Sequence, residues 1–304
     1  MRLFNLEAFM GKTAVIADTN SGILSEESEK TGIFIQPMPF YINDELFYES
    51  VNLTHDEFYE KQATDAKITT SMPLVGDVMD KWNEVLKDYD EIVYIPMSSG
   101  LSSSYETAAM IAEDFDDKVQ VVNNRRISVT QKLSAYEAKR MADEGKGAKE
   151  IKEYLEKTQA ESHIYIMVDT LEYLKRGGRI TPAVAALGTL FHIKPVLQIQ
   201  GDKLDSFAKV RTLSQAKSVM MDRIEKDLND FGDKEAAGCV ISIAHTQNRK
   251  EAEIFREEVK ERFNYNRPIT IDPLALSIAC HIGPGSLAIT VTKSFITELG
   301  ECPV

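Results

Sequence analysis

The first half of the chain alternates short apolar runs with amphipathic segments, and this pattern constrains the fold more than any other feature. The runs TAVIA, EIVYIPM and VQVVN have the length and the β-branched composition of buried strands. The second and third are each followed by a helical pattern, and a helical repeat of Val78, Trp82, Val85 and Tyr89 precedes the second. Strands that alternate with helices predict a parallel sheet with both faces covered.

The pattern changes after a polar, charged stretch from Gly145 to Ser162, and we place a domain boundary there, giving residues 1–160 and 161–304. In the second part, Gly201-Asp202 links two extended segments as a tight hairpin would. We therefore predict an α/β N-terminal domain with a parallel sheet and an α+β C-terminal domain with a mixed or antiparallel sheet. The segment IFIQPMPFYI contains Pro37 and Pro39, which predicts an edge or irregular segment.

Charge and cysteine usage exclude several classes of protein. The 304 residues carry a formal net charge of -13 and no block of Lys or Arg, which disfavours nucleic acid as a partner. Cys239, Cys280 and Cys302 lack metal-binding spacing and favour a reducing cytoplasm. The weakly polar run from Ile180 to Ile193 is too short to span a membrane. The segment MRLFNLEAFM has no signal-peptide pattern, and Met10 is an alternative start.

A hydroxyl-rich segment, YIPMSSGLSSSYETAAM, lies between a predicted strand and a predicted helix. Ser103 and Glu106 have the spacing of a capping box, as do Thr54 and Glu57 in an earlier helix. Ser98 and Ser99 are not needed to start the helix. They belong either to a loop that binds an anion at the carboxyl end of a parallel strand or to a solvated turn.

Other polar positions are weak candidates when each is taken alone. They are the loop ITTSMP, which contains Thr70 and Ser71, the two arginines Arg179 and Arg211, and His281 in CHIGPGS. The segment GKTA is not a P-loop, and neither G-x-S-x-G nor H-E-x-x-H is present. A serine hydrolase that uses Ser99, His281 and an acid such as Asp169 stays open as an alternative.

Taken in order, these loops resemble a known family. The segments DTNSG, TTSMP, MSSGLSSSY, VDTLEYLKRGGRI, KPVL, KVRT, ISIAHT and HIGPGSLAI are similar to those of the DegV family of fatty-acid-binding proteins, over nearly the whole chain. The resemblance implies a DegV-like fold of two α/β domains with the ligand site between them, in agreement with the pattern of strands and helices.

The resemblance also implies a function. Such a protein has no catalytic residue, metal or cofactor of its own, and binds a long-chain fatty acid with the acyl chain in a tunnel of the C-terminal domain. A bacterial fatty acid kinase with a dihydroxyacetone-kinase-like domain would phosphorylate the carboxylate for phospholipid synthesis. A carrier of another hydrophobic carboxylate is a further alternative.

Residue roles follow from the matched motifs. Thr70 and Ser99 would bind the carboxylate, with Ser71 and Ser98 beside them. Arg179, Arg211 and His281 would line the mouth and meet the phosphoryl group or the kinase. Met72 and Leu74 stand where the family usually has Gln and Ser. The small residues of PAVAALGTLF either leave room for the acyl chain or allow close helix packing; they are Ala183, Ala185, Ala186 and Gly188.

Overall fold

A computed structural model describes residues 11–49, 51–64, 66–186, 193–200 and 203–296. Within these ranges the strands are β1 (Thr13–Asp18), β2 (Phe34–Gln36), β3 (Pro39–Ile42), β4 (Glu45–Tyr48), β5 (Ile68–Thr70), β6 (Glu91–Ile95), β7 (Val119–Val121), β8 (Ser162–Met167), β9 (Lys194–Gln200), β10 (Leu204–Val210), β11 (Cys239–His245), β12 (Thr270–Pro273) and β13 (Leu287–Lys293). The helices are α1 (Ser25–Thr31), α2 (His55–Gln62), α3 (Val75–Val85), α4 (Ser104–Ala112), α5 (Val129–Asp143), α6 (Ala148–Lys157), α7 (Glu172–Arg176), α8 (Pro182–Ala185), α9 (Leu213–Asp230), α10 (Arg249–Phe263) and α11 (Leu276–Ile282).

The first sheet is parallel throughout, as the sequence predicts, with the strand order β2-β1-β6-β7. Both of its faces are covered. Helices α3 and α4 pack on one face, where Trp82 lies edge-on to Tyr94 and Phe115, and α5 and α6 pack on the other. All six residues of β1 are buried, which explains why that strand is apolar on both sides.

The segment IFIQPMPFYI is divided between two sheets. Strand β2 is the edge of the first sheet, as predicted, but β3 is the central strand of a small antiparallel sheet with the order β4-β3-β5. Pro39 is tolerated because it is the first residue of its strand. This small sheet packs through Phe40 against α2 and α11, so it joins the two halves of the chain.

The second sheet is mixed, with the order β10-β9-β8-β13-β11-β12. Its pairs are antiparallel except β11 with β12, which confirms the predicted mixed sheet. Helices α9 and α10 cover one face. Gly201-Asp202, the predicted hairpin link, lies outside the described residues, although β9 and β10 pair on either side of it. The predicted domain limits at 160 and 161 stay a prediction; the second sheet begins at Ser162.

The two predicted helix caps have different outcomes. Thr54 and Glu57 form the expected capping box at α2. Ser103 precedes α4 but makes no capping bond, so that prediction is wrong. The backbone N–H of Ser104 instead donates to Ser102 Oγ at 3.2 Å. Among the helices of the described ranges, none combines the length and the hydropathy needed to cross a bilayer.

Candidate functional site

A cavity lies between the loops of the first sheet and the inner face of the second. It has about 930 Å³ of space free of protein atoms, a figure that includes the open space at its mouth. Most of its lining is apolar, including Ile164 and Ile166 of β8 and Leu101 of the loop after β6. Hydroxyl groups and one arginine lie among these apolar residues, so the cavity suits an elongated apolar ligand with a polar end.

The carboxyl ends of the first sheet's strands provide one wall of the cavity. Asn20 follows β1, while Met97 and Ser102 follow β6. Thr70, the last residue of β5 in the small sheet, adds a hydroxyl group beside them. Loops at the carboxyl edge of a parallel sheet are where such folds bind ligands, because successive strands bring their polar turns together there.

The buried carboxylate of Asp18 holds these loops in place. It accepts hydrogen bonds from Met97 N at 2.8 Å, from Asn20 N and Nδ2 at 3.0 Å, and from Gln131 Nε2 at 2.9 Å. Burial raises the pKa of Asp18, while these donors act in the opposite direction. Asn20 Oδ1 also accepts from Ser277 Oγ of α11 at 2.6 Å. The network therefore fixes the loops of the first sheet against the second half of the chain.

His281 and Thr70 meet at the mouth of the cavity. Their atoms Nε2 and Oγ1 are 2.9 Å apart. The other ring nitrogen, Nδ1, has no hydrogen-bond partner in the described part of the chain and faces Gly177. A Cβ atom on Gly177 would lie 2.0 Å from that nitrogen, so this close approach requires glycine.

His281 should be neutral at physiological pH. Burial, with a smaller effect from the Arg179 guanidinium, lowers its pKa to about 4. Since the ordinary value is about 6.5, the unfolded chain takes up this proton first as the pH falls. The free energy of unfolding should therefore decrease between about pH 6.5 and pH 4 from this residue's contribution.

The lowered pKa of His281 is testable by NMR. The ring resonances of His281 should titrate near pH 4. The variant Arg179→Gln should raise that pKa, because it removes a nearby positive charge. Arg140→Gln, an exposed change on α5, should leave it unaltered. A wild-type titration centred near the ordinary value of about 6.5 would show that the ring is not desolvated as the structure indicates.

Four of the seven predicted site residues line the cavity: Thr70, Ser71, Arg179 and His281. Ser98 and Ser99 do not. Ser98 is buried in its own turn, where its Oγ accepts from Gly100 N at 3.3 Å, and Ser102 lines the cavity in place of the two predicted serines.

Arg211 also lies off the cavity. It is exposed at the end of β10, and its backbone N–H donates to Gln215 Oε1. The neighbouring Val210 pairs with Lys194, which forms an ion pair with Asp169. The ligand roles of Arg211, Ser98 and Ser99 stay predictions.

The departures from the family pattern have structural consequences. Met72 lines the cavity, and its Sδ accepts from Thr107 Oγ1 at 3.2 Å, whereas Leu74 is exposed. The small residues Ala183, Ala185 and Ala186 are exposed and do not line the cavity. Gly188 lies outside the described residues. An apolar thioether thus replaces the amide that the resemblance implies at position 72.

Hydrolase geometry is not present among these residues. His281 pairs with Thr70 rather than with Ser99, and Asp169 pairs with Lys194 rather than with His281. A nucleophilic serine needs a base within hydrogen-bond reach and a group that orients that base. The arrangement suits binding better than acyl transfer. Within the described residues, no group of three or more His, Cys, Asp or Glu side chains is suited to a metal ion.

Comparison with known proteins gives consistent matches. A family model described as "Uncharacterised protein, DegV family" matches residues 12–294. A DegV domain-containing protein of Clostridium acetobutylicum is 31% identical over 280 residues, covering 90% of this chain and 95% of the relative. Among solved structures, a DegV family protein from Thermus thermophilus described by its fatty acid binding has a TM-score of 0.84 at 23% identity, covering 93% and 99%. DegV of Bacillus subtilis, described as a fatty acid binding protein, has a TM-score of 0.81 at 26% identity, covering 93% and 100%.

Proposed function

Because this chain belongs to the DegV family, we propose that it binds a long-chain fatty acid. The acyl chain would occupy the cavity, and the carboxylate would lie at the mouth near Thr70 and Ser71. The observation that carries the proposal is the composition of the cavity wall, which is apolar along the second sheet except at Thr290 and bears Thr70, Ser71 and Arg179 at the mouth. The fatty acid binding described for the Thermus thermophilus and Bacillus subtilis relatives supports the same ligand class.

Burial of the acyl chain should dominate the affinity. About fifteen methylenes at about 0.8 kcal/mol each contribute on the order of 12 kcal/mol before the costs of association. A hydrogen bond to a charged group contributes only about 1.5–3 kcal/mol. The acyl chain therefore sets the affinity, while the hydroxyl groups orient the carboxylate. A carboxylate leaving water must find donors or opposite charge, which Thr70, Ser71 and Arg179 can offer.

We further propose that the protein presents this carboxylate to a bacterial, cytoplasmic fatty acid kinase with a dihydroxyacetone-kinase-like domain, for phospholipid synthesis. A carboxylate oxygen would attack the γ-phosphorus of ATP, and ADP would leave. The chain would then be a non-catalytic subunit without a metal or cofactor of its own. Arg211 and Arg179 are the side chains we expect to meet the phosphoryl group or the kinase, and Ser98 and Ser99 stay predicted contacts of the carboxylate.

Native purification followed by lipid extraction and mass spectrometry tests the ligand. We expect a long-chain fatty acid in stoichiometric amount, and displacement by added oleate or palmitate. An empty protein that binds neither acid would refute the proposal, and a different hydrophobic carboxylate in the extract would replace it. Labelling of Ser99 by a fluorophosphonate probe would favour the hydrolase alternative.

Thr70→Val tests the position of the carboxylate. The change keeps the side-chain shape but removes the hydroxyl group, so affinity for oleate should fall about tenfold or more, as expected for a lost hydrogen bond to a charged group. Methyl oleate, which has no charge, should bind both proteins similarly. Thr69→Val is the matched control, because Thr69 is the exposed neighbour on the same strand. Equal losses for acid and ester would place the carboxylate elsewhere.

A further inference from the structure

The face of the second sheet that lines the cavity is uneven. Side chains on that face form rows across neighbouring strands, because paired residues of antiparallel strands lie side by side. The first row, nearer the mouth, contains Ala244, Ala288, Ile166 and Leu197. The second row contains Ser242, Thr290, Ile164 and Ile199.

The small side chains all belong to β11 and β13, and the large ones belong to β8 and β9. Ala244 and Ala288 therefore lie at the bottom of a channel whose flank is formed by Ile166. Both alanines line the cavity and are otherwise buried. Val129, at the start of α5, lines the same cavity and belongs to the same apolar cluster as Ala288. The free space is thus bounded by Ala288 on the sheet side and by Val129 on the helix side.

The channel ends beyond the second row. Two residues of a strand span about 7 Å, so Thr290 lies about that far below Ala288. In the next row, Ser162 and Thr292 hydrogen-bond each other at 2.8 Å, and neither lines the cavity. An acyl chain that followed β13 from the mouth would pass Ala288, reach Thr290, and stop there.

We infer that the acyl chain lies along β13 and that Ala288 determines which chain lengths are accepted. This inference rests on the proposed function. A larger side chain at position 288 would fill the channel between the mouth and Thr290. The terminal methylenes of a long acyl chain could then no longer enter the channel, whereas a short acyl chain would still fit between the mouth and the first row.

Two substitutions of different size test this role. Ala288→Leu should lower the affinity for stearate by at least about tenfold, because each methylene excluded from apolar surroundings costs about fourfold in affinity. Laurate should bind within about threefold of its wild-type affinity. Ala288→Val, a milder change that suits a strand, should shift the preference in the same direction by a smaller amount.

The control is Ala252→Val, which overpacks the core on the opposite face of the sheet, where Ala252 of α10 is fully buried. It should reduce stability without changing the preference for chain length. Competition among laurate, palmitate and stearate, together with the thermal midpoint of each variant, gives the result. A wild-type protein that binds none of the acids would refute the proposed function. A wild-type protein that binds them, with an unchanged length preference in Ala288→Val, would overturn the role of Ala288.

Discussion

Replacing Arg126 with methionine should lower the free energy of unfolding by about 3–5 kcal/mol, since it leaves a buried carboxylate without its cation. The guanidinium and the carboxylate of Glu137 are 3.3 Å apart, and their side chains are 2% and 0% exposed. Arg126 also donates to Ser134 Oγ and to the carbonyl oxygen of Thr158. Burial raises the pKa of Glu137, and the Arg126 charge acts against that effect.

Urea denaturation measures this effect. Arg140→Met is the matched control on α5, the helix that carries Glu137, because the ion pair of Arg140 with Glu144 is exposed and should contribute less than about 1 kcal/mol. The double variant Arg126→Met with Glu137→Leu should recover much of the loss, since it removes both charges. If the single variant unfolded at the wild-type urea concentration, the buried pair would not have the role that its surroundings indicate.

Replacing Lys132 with methionine should have an effect of similar size. Its ammonium lies 2.9 Å from Glu27 Oε2 and 2.8 Å from Asp272 Oδ1, with only 6% of the side chain exposed. The loss leaves two carboxylates facing each other, which we expect to cost about 3–5 kcal/mol. Lys132 lies on α5, while Asp272 lies on β12 of the second sheet, so the contact between the two sheets also weakens.

Two measurements report the effects of Lys132→Met on stability and on ligand binding. Urea denaturation should report the loss of stability, and oleate affinity should fall as well, because α5 begins at the cavity with Val129. Lys139→Met, whose ion pair with Asp143 is more exposed on the same helix, should change neither by much. Equal effects of the two substitutions would argue against a special role for Lys132.

The first sheet could be predicted from the sequence because its signals are local. A β-branched run followed by a helical repeat specifies a strand and its covering helix, as Val78, Trp82 and Val85 illustrate. The capping box at Thr54 is local in the same way. The prediction for Ser103 failed because several serines compete for the helix start in this loop, and the backbone N–H of Ser104 donates to Ser102 Oγ instead.

The interior of α5 could not be predicted in this way. Its sequence contains Gln131, Lys132, Ser134 and Glu137, which are typical of an exposed helix face, yet all four are buried. Their partners are distant in the sequence; Asp272 is 140 residues from Lys132. Only the packing of two sheets on opposite sides of α5 brings these charges together, and no local pattern contains that information.

The residues that line the cavity also divide into those with a local sequence signal and those without one. Motifs indicated Thr70, Ser71, Arg179 and His281, which line it. The resemblance gave no role to Asn20 within DTNSG, although Asn20 joins β1 to α11 through Ser277. The sequence signal available for Asn20 was its position in a polar turn directly after a buried strand. The alanines of the second sheet had no signal of their own, since their importance depends on the register between strands.

The charged interior of α5 also determines how the protein should respond to temperature. Hydration of charged groups becomes less favourable on warming, so the cost of burying Lys132, Glu27 and Asp272 decreases as the temperature rises. Apolar contacts weaken on cooling. Both effects make the contact between α5 and the second sheet weaker at low temperature. Cooling is therefore the change that should loosen the two sheets from each other, and with them the walls of the cavity.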